Sequence, residues 1–341
     1  MTVNALVGIN TIMDVVNSYT SLDNKATYVW AANVLARKCP FFQDMPMKAG
    51  NQIFSNIGAR VNYLNTPSTR GFNQGLTPTA VHTTQYTEPM CIIEDYGWVD
   101  KLLCDAQNNP GQWRQERDAI KMEAMVQSAE NKIIYGNYST VDSNGIQGFA
   151  TRFNSTTHRP NDDSGWPYNV KSAGGSLSAQ TCSIWVIEWG VEGKVYGIYP
   201  PNLPAGIHVR DLGEQTWNVS TIASPSMLQV YLTMMGLYFG LNIEDERCVQ
   251  RIVNVNATGS TEIFDPEELI EVINNLPSRG AGAVIYAPRA IVTQMDINAL
   301  NKQNALYRVE PNGDIWGRPV TYFRGIPVRM AEKLLETETA I

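Results

Sequence analysis

The apolar positions of the chain change period several times, and each change predicts a different element. Helical spacing comes first: Gly8 to Tyr19 and Lys25 to Arg37 are amphipathic, the second with Tyr28, Val29, Ala32 and Leu35 on one side behind the cap candidate Asp23. Neither is long enough to fold alone. A helix-breaking stretch, CPFFQDMPMKAGN, leads into residues 52–95, where Thr, Asn, Gly and β-formers dominate. There IGARVNYLNTP and AVHTTQYTEPMCII flank the loop STRGFNQGLTP and predict a long two-stranded projection. An isolated hairpin is marginal in water, so this one is expected to lie on something else.

The clearest helical pattern covers residues 110–135. Asn109 offers an N-cap, Pro110 suits the first position, Gln112 stands where a capping-box partner would, and Gly136 supplies the stop. Met122, Met125, Val126, Ala129 and Ile133 fall on one face, which Trp113 and Ile120 are expected to extend toward the start. At its regular rise such a rod is ~39 Å long, a spine for other elements. Next, after a polar loop, SIWVIEWGVEGKVYGIYPP reads as a hairpin of two short aromatic strands about a glycine turn. In its first strand Trp185, Ile187 and Trp189 share one face, and Ile184, Val186 and Glu188 the other. Strand patterns continue through MLQVYLTMMGLYFGLNI and RCVQRIVNVN. The final block alternates: a helix DPEELIEVINNL opened by Asp265 and Pro266, a buried strand GAVIYA, a helix PRAIVTQMDINALNKQ, and VTYFRGIPVRMA as two strands bent at Gly325. The fold class is therefore α+β, with a compact helix-and-strand layer at its end.

Composition supports a folded core, with 43% hydrophobic residues in 341. Charged residues, at 17%, fall below the usual quarter, which suits a surface covered by neighbours. The net charge is -7 and the basic residues are scattered, which argues against a surface that grips nucleic acid. Cys39, Cys91, Cys104, Cys182 and Cys248 are widely spaced without a C-x-x-C pair, so they read as buried free thiols of a reducing cytoplasm, not a zinc site or disulfide framework. The first residues lack a basic n-region, and no apolar run reaches the ~18 residues a bilayer needs, so neither export nor membrane insertion is expected.

Catalytic patterns are missing from the sequence. Gly190 and Gly193 before Lys194 have the wrong spacing for a phosphate loop, and no G-x-S-x-G elbow or H-E-x-x-H pair occurs. His82, His158 and His208 stand apart. Asp142, Asn144, Asp162 and Asp163 do not match a calcium loop, and Glu267 and Glu268 are accounted for by the first turn of a helix. Sequons at Asn137, Asn154, Asn218 and Asn256 are polar loop composition without a secretory signal. No catalytic residue, cofactor or metal ligand is assigned. The aromatic hairpin admits three uses: core packing, a platform for stacking sugars or bases, or a contact with another subunit.

The order of these parts, with RFNSTTHR, SIWVIEWGVEGKVYGIYPPNLPAGIHVRDLGEQTW, RCVQRIVNVN, VIYAPRAIVTQMDINALNKQNA and FRGIPVRMAE, resembles tailed-bacteriophage major capsid proteins, particularly those of short-tailed phages of the epsilon type. The resemblance covers essentially the whole chain and implies the Hong Kong 97-type capsid fold. On that basis residues 1–48 are an N-terminal arm, 49–95 an extended loop, 96–257 a peripheral domain with the spine helix 110–135, and 258–341 an axial domain. The aromatic hairpin and VQRIVNVN precede the final block, which implies a permuted connectivity. The implied function is an icosahedral shell around a double-stranded DNA genome, without catalysis, made in the host bacterial cytoplasm and located in the virion.

Implied partners are further copies as hexamers and pentamers, portal and scaffolding proteins, and a cement or decoration protein. Packaged DNA would line the inner face without sequence-specific binding, and no membrane is involved. No lysine lies between Lys48 and Lys101, which disfavours covalent cross-linking through the extended loop. Noncovalent intersubunit contacts are assigned to Arg60, Arg70, Phe72, Tyr86, Trp185 and Trp189, with hinges at Gly50, Gly71, Gly75 and Gly97. Two alternatives are an encapsulin-like nanocompartment shell protein and, in another class, a carbohydrate-binding enzyme using the aromatic hairpin.

Overall fold

Two six-stranded sheets and one long helix organise the chain. A computed structural model describes residues 39–63, 68–76, 78, 82–107, 109–138, 144–160, 166–176, 180–203, 205–218, 227–300 and 322–341. The two helices expected within residues 8–37 lie outside the described residues.

The long helix, which we number α3, follows α1 (Pro40–Asp44) and α2 (Lys101–Asp105) and runs Pro110–Tyr135. Its start is built as expected: Pro110 opens it and the Asn109 side chain accepts from the Gln112 N–H. Met122, Met125, Val126, Ala129, Ile133 and Ile134 are buried along its second half. Ile120 departs from the expectation, being 68% exposed, because it lies nearly opposite Met122 on the helical wheel.

The first sheet has the order β1-β6-β8-β3-β2, from β1 (Met47–Ala49), β6 (Val195–Tyr199), β8 (Met227–Ile243), β3 (His82–Asp100) and β2 (Ser55–Tyr63), while β7 (Gly206–Asn218) also pairs with β8. β3 is the longest strand among the described residues, at 19 residues. Its first half pairs antiparallel with β2, Ser55 opposite Pro89, and its second half with β8, Met90 opposite Gly240. The expected projection therefore exists, but one of its strands continues without a break into the body of the protein. The supposed last ten residues of the arm belong to that body too. Cys39, Phe41, Phe42, Met45 and Met47 are buried, and β1 pairs parallel with β6. CPFFQDM holds the short helix α1, packed into the core because two adjacent phenylalanines have nowhere else to avoid water.

The second sheet has the order β11-β12-β10-β5-β9-β4, from β11 (Tyr322–Phe323), β12 (Ile326–Met330), β10 (Ala283–Ala287), β5 (Thr181–Glu188), β9 (Val249–Asn256) and β4 (Val170–Ser172). The expected boundary at 257/258 is corrected here, because β5 and β9 from before it share one sheet with β10 and β12 from after it. α5 (Pro266–Asn274), capped by Asp265, and α6 (Arg289–Leu300) cover this sheet on one side. Arg324 and Gly325, with φ of 50° and 84°, form the two-residue turn between β11 and β12.

The aromatic hairpin is the second correction. β5 and β6 belong to different sheets, so the glycine turn between them carries the chain from one sheet to the other. The alternation within β5 does hold. Trp185 and Ile187 point with Trp189 into the core shared with α3 and the first sheet, while Cys182, Ile184 and Val186 point into a second core beneath α5 and α6. All eight residues of β5 are buried because both faces of the strand are covered.

The C-terminal residues bind these layers together. Glu338 donates its backbone N–H to the Thr181 carbonyl (2.8 Å) and its carbonyl accepts from the Thr181 hydroxyl (2.6 Å), while its carboxylate accepts from Tyr135 at the end of α3 (2.7 Å), from Arg251 on β9 (3.0 Å) and from Ser183 on β5. Arg251 also donates to the Phe153 carbonyl (2.7 Å) and stacks on Trp185, which leaves the buried guanidinium compensated.

Candidate intersubunit surface

The hairpin of β2 and β3 presents two chemically distinct zones. At its root, Arg60 on β2 donates to the Glu246 carboxylate (2.6 Å) and to the Ile243 carbonyl, and its guanidinium lies 4.4 Å from the centre of the Tyr86 ring. Glu88 on β3, almost wholly buried, receives both guanidinium nitrogens of Arg152, one at 2.7 Å, from the short helix α4 (Phe149–Arg152), with Arg60 3.8 Å away. Asn56 donates to Asn242 on β8 (3.2 Å). Burial raises the Tyr86 hydroxyl above its ordinary range, with the nearby Arg60 charge opposing the shift. These groups fix the angle at which the hairpin leaves the sheet. Arg60 and Tyr86, expected to touch a neighbour, make these contacts within one copy and are partly buried.

The tip is different. Residues 68–76 are exposed, and the Phe72 ring is fully so, at 103% of its reference area. Leu76 is 61% exposed. The loop holds its own shape: Gln74 accepts from the Gly71 N–H through its side chain (3.0 Å) and from Arg70 through its carbonyl (3.2 Å). Arg70 and Phe72 are thus displayed on an ordered turn without apolar cover, which is where a contact with another molecule gains most.

Trp185 and Trp189 are corrected from contact residues to core residues. Each is 1% exposed. Phe149 lies 5.8 Å from Trp185 and 6.2 Å from Trp189, and the Trp189 indole N–H donates to Tyr286 (2.9 Å), whose hydroxyl donates to Asp44 (3.1 Å). Their strand is sealed on both faces, so neither ring is available to another subunit or to a sugar. Sequence reasoning missed a second exposed apolar zone: Trp98, Leu102, Leu103 and Ile120 are between 44% and 78% exposed around the end of β3 and the first half of α3. The signal was there in the off-phase position of Ile120 and in WVDKLL, where apolar residues continue past the strand.

Gly97, expected to be a hinge, serves a close approach. A Cβ there would come within 2.5 Å of the Asp118 carboxylate, so glycine lets α3 lie against β3. The charged groups nearby tie helix to sheet: Arg114 to Asp211 (2.9 Å), and Lys121 to Asp95 (3.2 Å) and to the Tyr96 carbonyl (2.7 Å). Among the described residues no group of three or more His, Cys, Asp or Glu could hold a metal ion, and no helix is long and apolar enough to cross a membrane. All five cysteines are buried and free, with burial pushing the Cys182 thiol up to about 12.

Comparisons with known proteins agree with this geometry. The family described as "Major capsid protein GP7" matches residues 23–341. Among solved structures, a chain of bacteriophage Epsilon15 is 23% identical with a TM-score of 0.63, covering 87% of this chain and 88% of that one. The bacteriophage JBD30 capsid is 10% identical with a TM-score of 0.50, over 92% and 96% of the two chains. The SrpI encapsulin of Synechococcus elongatus PCC 7942 is 12% identical with a TM-score of 0.41, over 64% and 87%. A comparison with curated proteins gave no match.

Proposed function

Because the chain belongs to the major capsid protein GP7 family, we propose that it works as the structural tile of a tailed-phage virion, closing an icosahedral shell through noncovalent contacts between copies. The observation that carries this mechanism is the hairpin, whose root is locked by buried ion pairs while its tip offers a bare phenylalanine to the outside. A rigid root aims the tip, and an uncovered tip needs a partner. In this reading residues 49–95 are the extended loop, α3 is the spine, and the sheet containing β5, β9, β10 and β12 forms the axial layer from both sides of position 257.

Hexamers and pentamers of the chain, portal and scaffolding proteins, and a cement protein on the outer face are the partners proposed. DNA fills the lumen without being gripped, in keeping with the net charge of -7. Each contact is individually small, so stability comes from closure, as it does for any multivalent assembly. The encapsulin and carbohydrate readings are weaker: the family match spans residues 23–341, and the aromatic strand proposed as a sugar platform is buried.

Electron microscopy of the purified chain, alone and co-expressed with a scaffolding protein, tests the reading. Closed megadalton particles are expected. Monodisperse monomers with measurable sugar affinity would overturn it in favour of the enzyme, and particles built around an enzyme cargo would point to a nanocompartment.

A further inference from the structure

Glu130 stands where an acid is least expected, on the buried face of α3 with Val126 and Ile134 one turn to either side. It is 1% exposed, and among the described residues one of its carboxylate oxygens has no hydrogen-bond partner. We propose that residues 331–338 form a lid over Glu130 whose closure is linked to one proton: the lid packs on α3 while the carboxyl is neutral, and opens around Leu334 when it is charged. The device belongs to a single copy and does not depend on the shell reading above.

The lid is fastened at both ends. At one, β12 runs into Ala331, whose N–H donates to the Ala287 carbonyl on β10 (3.0 Å). At the other, Glu338 is tied to Thr181, Ser183, Arg251 and Tyr135. Between them Leu334 is 3% exposed and shares the apolar core of Ala129, Ile133 and Ile134 on α3, while the Leu335 N–H donates to the Tyr135 hydroxyl (2.9 Å). Glu332, Leu335 and Glu336 face outward. One leucine and one hydrogen bond to α3 thus hold the middle of the segment down.

Three elements contribute the titratable groups that act on one another here. α3 carries Glu130, the lid brings Lys333 and Glu332, and the start of α1 brings Cys39, whose thiol is kept neutral by burial and then by Glu130 itself. Burial, opposed by Lys333 and reinforced by Glu332, pushes the Glu130 carboxyl up to about 7. The closed lid therefore holds a proton that an opened, hydrated Glu130 releases near 4.5, so closure is favoured fully below about 4.5 and loses that support as pH rises to about 7. A charged carboxylate left in place would be costly, and hydration comes by moving the weakest wall. α3 is fixed by its other buried residues and α1 by Phe41, Phe42 and the Asp44–Arg329 pair, which leaves the lid. Since β12 leads straight into it, the same proton grades how firmly the second sheet is fastened to the long helix.

Hydrogen exchange of the unassembled full chain, followed by mass spectrometry from acid to neutral pH and divided by the intrinsic amide rate, reads the opening constant of each segment. In peptides covering residues 332–336 it should rise about tenfold per pH unit between about 5 and 7, roughly a hundredfold in all, and level off above. Peptides from β5 and β9 should not follow. Glu130→Gln should flatten the lid's profile; a slope that survives the substitution, or one shared equally by β5 and β9, would overturn the proposal. Two lid variants keep the test open if Glu130→Gln does not fold. Lys333→Met, which removes the opposing cation, should move the upper end of the rise to higher pH, and Glu332→Gln should move it lower. Simple loosening of the lid would raise exchange at every pH without moving that end point, and shifts in one common direction, or none, would also overturn the proposal.

Discussion

The root and the tip of the β2–β3 hairpin are about thirty residues of one chain, yet they solve opposite problems. The root concentrates charge in a place nearly closed to water, where Glu88 meets Arg152 and Arg60, and Glu246 meets Arg60. The tip puts an aromatic ring into water and leaves it there. In an ordinary monomer this arrangement would be inverted, with charge outside and the ring inside. In the reading proposed above, the first zone serves one subunit and the second the assembly. Buried paired charges give direction without sliding, because hydrogen-bond geometry is specific where apolar packing is permissive.

The sharpest way to break this contrast is to remove the acid at the root. Glu88→Ala takes from the mostly buried Arg152 the carboxylate that pairs with it, while Arg60 keeps Glu246, and losing one partner of a buried pair costs about 3–5 kcal/mol. The urea midpoint of the unassembled chain should fall accordingly. A change within about 0.5 kcal/mol would mean that the root is solvated and that its charges do not set the angle of the hairpin.

Glu130 separates pairing from burial. It lies on α3 at 1% exposure with one carboxylate oxygen lacking a hydrogen bond. Burial, reinforced by Glu332 and opposed by Lys333, pushes its carboxyl up to about 7. The folded chain thus keeps a proton that the unfolded chain loses near 4.5, so this group's contribution to stability is full below about 4.5 and is lost as pH rises toward 7. Glu130→Gln should therefore leave stability unchanged at pH 4 and raise it by about 1–3 kcal/mol at pH 8. Denaturant titrations of both proteins across that range check it. An equal effect at both ends would show that the carboxylate finds a partner after all.

How much of this was legible in the sequence depends on whether the signal was local. Asn109, Pro110 and Gly136 announced α3 to the residue, and Asp265 with Pro266 announced α5, because caps act within one turn. Alternation in β5 correctly divided Trp185 and Ile187 from Ile184 and Val186. What alternation cannot carry is the identity of the strand alongside, so the glycine turn after Trp189 read as a hairpin when it joins two sheets. The partners of Arg60 are likewise remote, with Glu246 186 positions away. A surface arginine and a buried, paired one have the same letter. The exposure of Phe72, as distinct from its expected contact, has a local source: it stands between Gly71 and Asn73 in a polar loop.

That isolation leads to the smallest effect on the folded chain. Phe72→Ala removes a ring that touches little within its own subunit, and exposed substitutions of this kind change stability by about 0.5 kcal/mol or less. The monomer should melt as before and keep its circular dichroism. Assembly should nevertheless suffer, because the same loss is repeated at every copy of the contact in a closed particle and small deficits multiply across a multivalent shell. Light scattering of the variant under assembly conditions reads this separation. If stability and particle yield fell together, the tip would be a structural part of the subunit like the root. If neither moved, it would be surface without a partner, and the contrast between the two zones would have no bearing on assembly.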